Sequence, residues 1–487
     1  MQQRIKEQAV APSAGWRGLI LPLLIVAAGT ALFFFSAPLG GLVMLIGYSW
    51  LATLSLPFAL AVYIVFSPFP FGLAIYHHQL NLSDLMAVVM AVRLVFSVRR
   101  EGRGSLWSRF MGSPFWRPLV LLLALSVLSL ATALSHSTTV IKILEYVEFF
   151  VVVVAVARHA NLDEQQWKPV IAGLFGIGSL LAVYGFYQFL FQVGPASNVV
   201  DAHHIRADAI FGQPNAFGGF EALIFPIVVA LLAYGPTWTR RWWAWATTIL
   251  VALAVIESFS RGAWVASVFA VGVMGIVAWV AKGRQMINRR FVVPGILVPI
   301  AAFLLIDLLG KTNLSHSAFV LSNSTGGEIT STVGSIVNPS SNFDTRQRLH
   351  IWKEAVTALK THPFLGVGLG GFHRYSFLHP QVGLKSAPTA HNLYLEWGAD
   401  LGVLGVLSAL WIEWSWLKNA VKGVVVRTRS LSAFEFAMGL GALGAIVSFV
   451  VHDWVDFLID HGVVVPMLLA LAVVWALRSF NDTRSSS

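Results

Sequence analysis

LGGLVMLIGYSWLATLSLPFALAVYIVF (Leu39–Phe66) decides how this chain is threaded. The run is longer than the roughly 20 residues that one membrane helix needs. Pro57 also interrupts it, and a proline inside a helix removes a hydrogen bond and clashes with the preceding turn. The stretch therefore crosses either once, as one long bent helix, or twice, as two short helices hinged near Pro57. The charges on either side choose between these. Arg99, Arg100, Arg103 and Arg109 follow the next apolar run. Later connections hold Arg240 and Arg241; Lys282, Arg284, Arg289 and Arg290; and Lys418, Lys422, Arg427 and Arg429. Arg4, Lys6 and Arg17 precede the first apolar run. Lys and Arg gather in cytoplasmic loops, and these sets share one side only if Leu39–Phe66 crosses twice.

Composition supports the same class. Of 487 residues, 56% are hydrophobic and only 11% charged, against about 25% in a soluble domain. The mean hydropathy is +0.72. Further spans start near Gly18, Ser83, Trp116, Val140, Pro169, Ala216, Trp242, Gly262, Phe291, Asn392, Leu431 and Gly462. The expected fold is all-α: a polytopic transmembrane helical bundle of about 12–14 spans, with both termini cytoplasmic. The run Gly18 to Phe35 leads into another apolar run rather than a small-residue cleavage site, so it reads as a retained first helix. The net charge of +10 would suggest nucleic acid in a soluble protein. Here the basic residues sit in short loops, so the expected partner is the anionic surface of a lipid bilayer and not nucleic acid. The absence of cysteine excludes disulfides, thiolate metal sites and cysteine nucleophiles.

This threading divides the chain into a cytoplasmic segment (1–17), transmembrane helices (18–310), a large extracytoplasmic loop (311–391), further transmembrane helices (392–479) and a cytoplasmic tail (480–487). The outer side receives Ser67–Leu82, Val193–Asn215, the link Ser260–Arg261, the long loop and His452–His461. The loop is far longer than a normal connector and reads as a small subdomain. Its second half carries an amphipathic helix near Arg346–Thr361, ended by Pro363.

Four outer features carry potential chemistry: Arg206 in the run to Asn215, Ser260-Arg261-Gly262 at a helix boundary, Arg348-Leu-His-Ile-Trp352 on the amphipathic helix, and Ala390-His391-Asn392. Each has a plainer reading. Arg261 can be a snorkelling anchor, Arg206 a solvated loop residue, Arg348 a headgroup contact, and His391 a satisfied interfacial histidine. A joint reading ties them together. The positive-inside trend disfavours cations on the outer side, so arginines held there call for an anion. Guanidinium groups bind phosphate oxygens through paired hydrogen bonds, and histidine takes a proton near neutral pH. Arginines with one histidine and no evident metal cage suit displacement of a phosphate leaving group by a hydroxyl.

Several other patterns weigh less. Gly366-Val-Gly-Leu-Gly370-Gly371 looks like a phosphate loop but has no strand before it; it reads as a flexible turn beside the site. His77-His78 and His373/His379 lack metal spacing. Asp453, Asp456, Asp460 and His461 could hold a metal, orient a basic residue or bind a sugar hydroxyl. Lys142 and Glu145 lie three apart in a span and form a candidate pair. Glu221, Glu257, Glu396 and Asp400 are costly in lipid, so they should face the bundle interior.

The ordered set Arg206…Gly212-Gln-Pro-Asn215, Ser260-Arg261-Gly262, Arg348-Leu-x-x-Trp352, His362-Pro-Phe-Leu-Gly366-Val-Gly368-x-Gly-x-Phe372 and His391-Asn392-x-x-Leu395 resembles the O-antigen ligase and polymerase superfamily. The resemblance runs from about Arg206 to the C-terminus. It implies a GT-C-like, metal-independent, inverting glycosyltransferase without a cofactor. The implied donor is a glycan on undecaprenyl pyrophosphate, and the acceptor is a glycan, a lipid A core or a protein. The implied place is the bacterial cytoplasmic membrane, with the active site on the periplasmic side. By the same resemblance Arg261 and Arg348 grip the pyrophosphate and His391 is the general base. Arg206, Arg346, Asn392, Asp453 and Asp456 are candidate substrate contacts. The local pattern does not fix which late aspartate matters. A flippase for lipid-linked glycan or another anionic lipid is the competing class, and an envelope scaffold the third.

Overall fold

The computed structural model describes residues 16–75, 78–100, 111–159, 162–195, 198–200, 204–311, 343–379, 387–426, 428, 430–459 and 462–479. The apolar runs become helices: α1 (Trp16–Phe33), α2 (Ala37–Leu54), α3 (Leu56–Phe66), α4 (Leu82–Arg100) and α5 (Trp116–Leu128). α6 starts as His136–Val147, passes through a π turn at Glu148–Val153 and ends as Val154–His159. There follow α7 (Glu164–Phe191), α8 (Pro214–Tyr234), α9 (Trp242–Glu257) and α10 (Arg261–Lys282). α11 runs from Arg289–Val292 through a π turn at Val293–Leu297 into Val298–Lys311. α12 (Phe343–Thr361) and α13 (Phe372–Leu378) follow, and the chain closes with α14 (Leu393–Val425), α15 (Ala433–Asp453) and α16 (Val465–Ser479). Two small antiparallel hairpins, Gly72–Ile75 with His78–Asn81 and Val199–Val200 with His204–Ile205, decorate an otherwise helical molecule.

Among the described residues, seven helices are long and apolar enough to cross a membrane, and five shorter ones are also apolar. α4 and α6 are more polar and complete the expected set. Arg103, Arg109, Arg427, Arg429, His77, Asp460, His461, the N-terminal cations Arg4 and Lys6, and residues 312–342 and 380–386 of the long loop lie outside the described residues.

The decisive stretch folds back on itself. α2 ends at Leu54, Ser55 is extended, and α3 begins with Pro57 in its first turn. A proline fits there because the amide it lacks has no helical partner in any case. The break thus falls two residues before the proline. The chain then returns to the face where it started: Phe71, just beyond α3, has its ring centroid 5.0 Å from that of Phe33 and 6.1 Å from that of Phe34, at the end of α1. Arg93 of α4 caps the other end of the hinge, donating to the Ala52 and Thr53 carbonyls.

α8 and α15 form the centre, with almost all of α8 buried, while α11 lies at the edge. Close approach of α8, α10 and α15 depends on a small residue. A Cβ at Gly444 would lie 2.4 Å from Met274 Sδ and 2.5 Å from Pro226 Cβ. Membrane helices associate through such small-residue contacts because burial of apolar surface does not drive them together in lipid.

One span departs from expectation. α14 is broken at Gly402, whose φ of +74° and ψ of −165° belong to a region that essentially only glycine occupies. A short piece ending at Leu401 packs on α12, and the long piece after Gly402 runs along the bundle. The break admits the segment after α12: the Val403 amide donates to the Pro363 carbonyl. The glycine run 366–371 is correspondingly an ordered turn rather than a flexible one. Its Gly370 amide and the Phe372 amide donate to the two Asp400 carboxylate oxygens, at 2.6 and 2.9 Å. A protein carboxylate therefore already occupies the anion-binding amides of this turn. A separate small core with Ile351, Ala355, Ala358, Val367, Phe372 and Tyr375 holds α12, α13 and this turn together.

Candidate functional site

The segment after α15 is the hub. Its Asp456 carboxylate accepts from His391 Nδ1 at 2.8 Å and faces Arg348 at 3.7 Å. Arg348 also donates to the Val455 carbonyl at 2.5 Å, and Asn392 Nδ2 donates to the Trp454 carbonyl at 2.7 Å. Two sequence-distant motifs, at Arg348 and at His391-Asn392, thus converge on three successive residues. Asp456 is buried, whereas His391 and Arg348 keep side-chain exposures of 18% and 22%.

Burial works to raise the Asp456 pKa. The His391 charge and hydrogen bond, together with the Arg348 and His452 charges, outweigh it and hold this carboxyl well below the usual carboxylate range. An ionised carboxylate only accepts hydrogen bonds, so His391 Nδ1 must carry the proton. In the neutral ring Nε2 is then the lone-pair nitrogen.

Local structure explains how His391 is held. Its φ of +48° is left-handed, a conformation a non-glycine residue keeps only when its surroundings enforce it. The preceding Ala390 is pinned at both ends, its amide by Glu396 and its carbonyl by Trp352 Nε1 at 3.1 Å. Arg348 and Trp352 lie four apart, on one face of α12. This spacing lets one helix both reach Asp456 and fix the histidine. Asn392 completes the arrangement as N-cap of α14, accepting from the Leu395 amide at 3.0 Å.

Arg261 opens α10 behind the Ser260 cap, which accepts from the Ala263 amide. Gly262 brings this boundary against the hub. A Cβ there would meet the His452 ring at 2.7 Å and Val455 Cγ2 at 2.8 Å. Arg206 joins through the α9–α10 turn, donating to the Ser258 carbonyl at 3.0 Å and to Asn215 Oδ1 at 2.7 Å. The Gln-Pro-Asn run thereby gains a reason: Pro214 starts α8 and Asn215 holds Arg206. Buried Asp208 secures the same loop by accepting from Gln188 and Asn198.

Of the two late aspartates, only Asp456 faces His391 and Arg348. Asp453 is fully buried on the last turn of α15 and accepts from the Leu458 amide at 3.2 Å. It shapes the turn rather than lining the site. Arg346 lies on α12, but its side chain is outside the described residues.

A cleft of about 370 Å³ opens beside the hub, with Asp456, Phe457 and Thr389 on one side. Lys142, Glu145 and Asn81 also line it. The Lys142–Glu145 pair is formed, at 2.8 Å, but it borders this cleft and is not simply an intrahelical neutralisation. Sequence signalled the pair by its spacing and gave no sign of the cleft.

Residues 246–410 match the family described as O-antigen ligase. The matched segment contains Arg261, Arg348 and His391, while Arg206 and Asp456 flank it. This central segment is similar to O-antigen ligases. A curated relative, the general O-oligosaccharyltransferase of Acinetobacter baylyi (strain ATCC 33305 / BD413 / ADP1), is 23% identical over 259 residues. That alignment covers 50% of this chain and 41% of the relative, so the chain matches well under half of that protein's length. With its apolar helices, this O-antigen ligase relative is a multi-pass membrane protein.

Proposed function

We propose that the chain transfers a glycan from undecaprenyl pyrophosphate to an acceptor hydroxyl on the outer face of the bacterial cytoplasmic membrane. The observation that carries this reading is the single carboxylate, Asp456, shared by a histidine and an arginine beside a cleft. In the proposed reaction His391 Nε2 takes the proton of the acceptor hydroxyl. The hydroxyl oxygen forms a bond to the anomeric carbon as the bond from that carbon to the phosphate oxygen breaks. Attack opposite the leaving group inverts the anomeric centre, and undecaprenyl pyrophosphate departs as an anion. Arg348, with Arg261 and Arg206 nearby, stabilises that charge, which preorganised cations do best in a low-dielectric site. Asp456 stabilises the imidazolium that forms.

The family and the relative's name support glycan transfer to an oxygen. The positive-inside pattern supports the sidedness. α4 runs from Leu82, next to the cleft residue Asn81, to Arg100, so this arginine end and the site lie at opposite ends of a helix.

The test uses purified protein, lipid-linked oligosaccharide and candidate acceptors. Arg348→Ala and His391→Ala should each abolish transfer while expression and insertion persist; activity retained in both would overturn the site. A ladder of repeats would identify a polymerase, and a single addition to lipid A core a ligase. A flippase would move the lipid-linked glycan between leaflets without forming a glycosidic bond. Because the chain lacks cysteine, single cysteines at Ser105 and Ser341 report sidedness directly. They should label from opposite sides.

A further inference from the structure

Part of the cleft lining has no role in the chemistry above. Lys142 and Glu145 project from α6 into the same opening, paired at 2.8 Å and with side-chain exposures of 27% and 12%. Asn81 stands beside them at the start of α4. It is 4% exposed, and its Oδ1 has no hydrogen-bond partner. Leaving a buried acceptor unmade costs more than a typical hydrogen bond contributes, so Asn81, which lines the cleft, carries hydrogen-bonding capacity that the protein leaves unmet.

The chemistry of the wall selects among ligands. Lys142 offers only donors, Glu145 only acceptors, and Asn81 both. A phosphate has acceptors to offer and would be repelled by the Glu145 carboxylate. A hydroxyl both donates and accepts, so neighbouring hydroxyls on one ring satisfy such a mixed wall. The cleft also presents the aromatic rings of Phe69, Phe211 and Phe457. Apolar surface with a few placed polar groups is the usual make-up of a small-ligand site, and the volume lies within the usual range.

We propose that Lys142, Glu145 and Asn81 form a sugar-binding subsite that recognises ring hydroxyls of a glycan substrate, leaving phosphate recognition to the arginines. The proposal rests on the glycan-transfer reading and names the subsite that orients the sugar. The glycan can belong to the donor or to the acceptor, and both present the same hydroxyl chemistry.

Binding experiments separate these sources. Full-length protein in detergent is titrated with undecaprenyl-pyrophosphate-linked oligosaccharide, with bare undecaprenyl pyrophosphate, and with free acceptor oligosaccharide. A donor subsite predicts that Glu145→Gln, Lys142→Met and Asn81→Ala each reduce the preference for glycan-bearing over bare lipid by about tenfold, the effect of losing roughly one hydrogen bond. An acceptor subsite predicts the same loss for the free oligosaccharide only. Three variants provide the reading even if one fails to fold. Wild-type affinity for both glycans in all folded variants would overturn the proposal, as would equal losses for glycan-bearing and bare lipid. If wild-type protein binds glycan here but forms no glycosidic bond, the transfer reading fails and the subsite stands.

Discussion

Replacing Asp456 with Asn separates the carboxylate's charge from its shape. In the wild type Oδ1 lies 2.8 Å from His391 Nδ1 and Oδ2 lies 3.7 Å from Arg348. A hydrogen bond to a charged group contributes about 1.5–3 kcal/mol. At 1.36 kcal/mol per decade, its loss in the transition state slows transfer roughly 10- to 150-fold. The Arg348 contact is longer and partly solvated, so it adds about 1 kcal/mol at most, roughly a further fivefold. The expected total is a loss between about 10-fold and several hundred-fold. The assay is single-turnover transfer from lipid-linked oligosaccharide, with melting temperature as a folding control. Because His391→Ala should abolish transfer, the coupling is read from unfolding free energy: in that background only the Arg348 contribution remains, and Asp456→Asn should cost about 1 kcal/mol at most. Equal losses of unfolding free energy in the two backgrounds would show that Asp456 acts independently of His391 and would refute the proposed coupling.

Other perturbations probe the scaffold. Gly402→Ala forces a side chain into a glycine-only conformation and within 2.5 Å of the Pro363 carbonyl oxygen; it should cost about 2–4 kcal/mol in denaturant or thermal melts, and a neutral result would mean that the break in α14 is not required. Gly262→Ala drives a Cβ into His452 and Val455, so transfer should fall together with a loss of about 1–3 kcal/mol in stability, and an unchanged rate would unlink Arg261 from the hub. Because the folded Asp456 pKa is depressed, its stabilising contribution is present above the unfolded value of about 3.9 and is lost as pH falls through the folded value. The melting-temperature gap between wild type and Asp456→Asn should therefore shrink as the pH drops below about 4, and a gap that widens there would contradict the ionised assignment.

Sequence made the helices legible because lipid demands long apolar runs, and loop charges pointed to the fold-back of Leu39–Phe66 because Lys and Arg gather on one side. Leu39–Phe66 shows both the strength and the limit of that reading. Its length and Pro57 announced the hinge, but the break falls at Ser55, since proline prefers the first turn of the following helix. Gly402 carried no such signal: it is one glycine in a continuous apolar run, and what breaks the helix is the distant Pro363 carbonyl. The glycine run 366–371 was likewise unreadable without Asp400, which lies about 30 residues later and fills its amides.

The site divides in the same way. Arg348, Trp352 and His391 stood out as motifs, but Asp453 and Asp456 could not be ranked from spacing, because three residues separate the last turn of a buried helix from the residue just beyond it. Only the fold decides which carboxylate points where. This order is physically reasonable. Guanidinium and imidazole groups are conspicuous in an apolar sequence, whereas the partner that orients them is chosen by tertiary contacts. It also explains why Arg348 suits a transient anion. Its described contacts include one hydrogen bond, to the Val455 carbonyl, and a looser approach to Asp456 at 3.7 Å. Guanidinium has five donors, so a carbonyl can fix its orientation while much of its capacity stays available for an incoming phosphate. A tight bidentate pair with Asp456 would have held the arginine just as firmly and left it little to offer the leaving group.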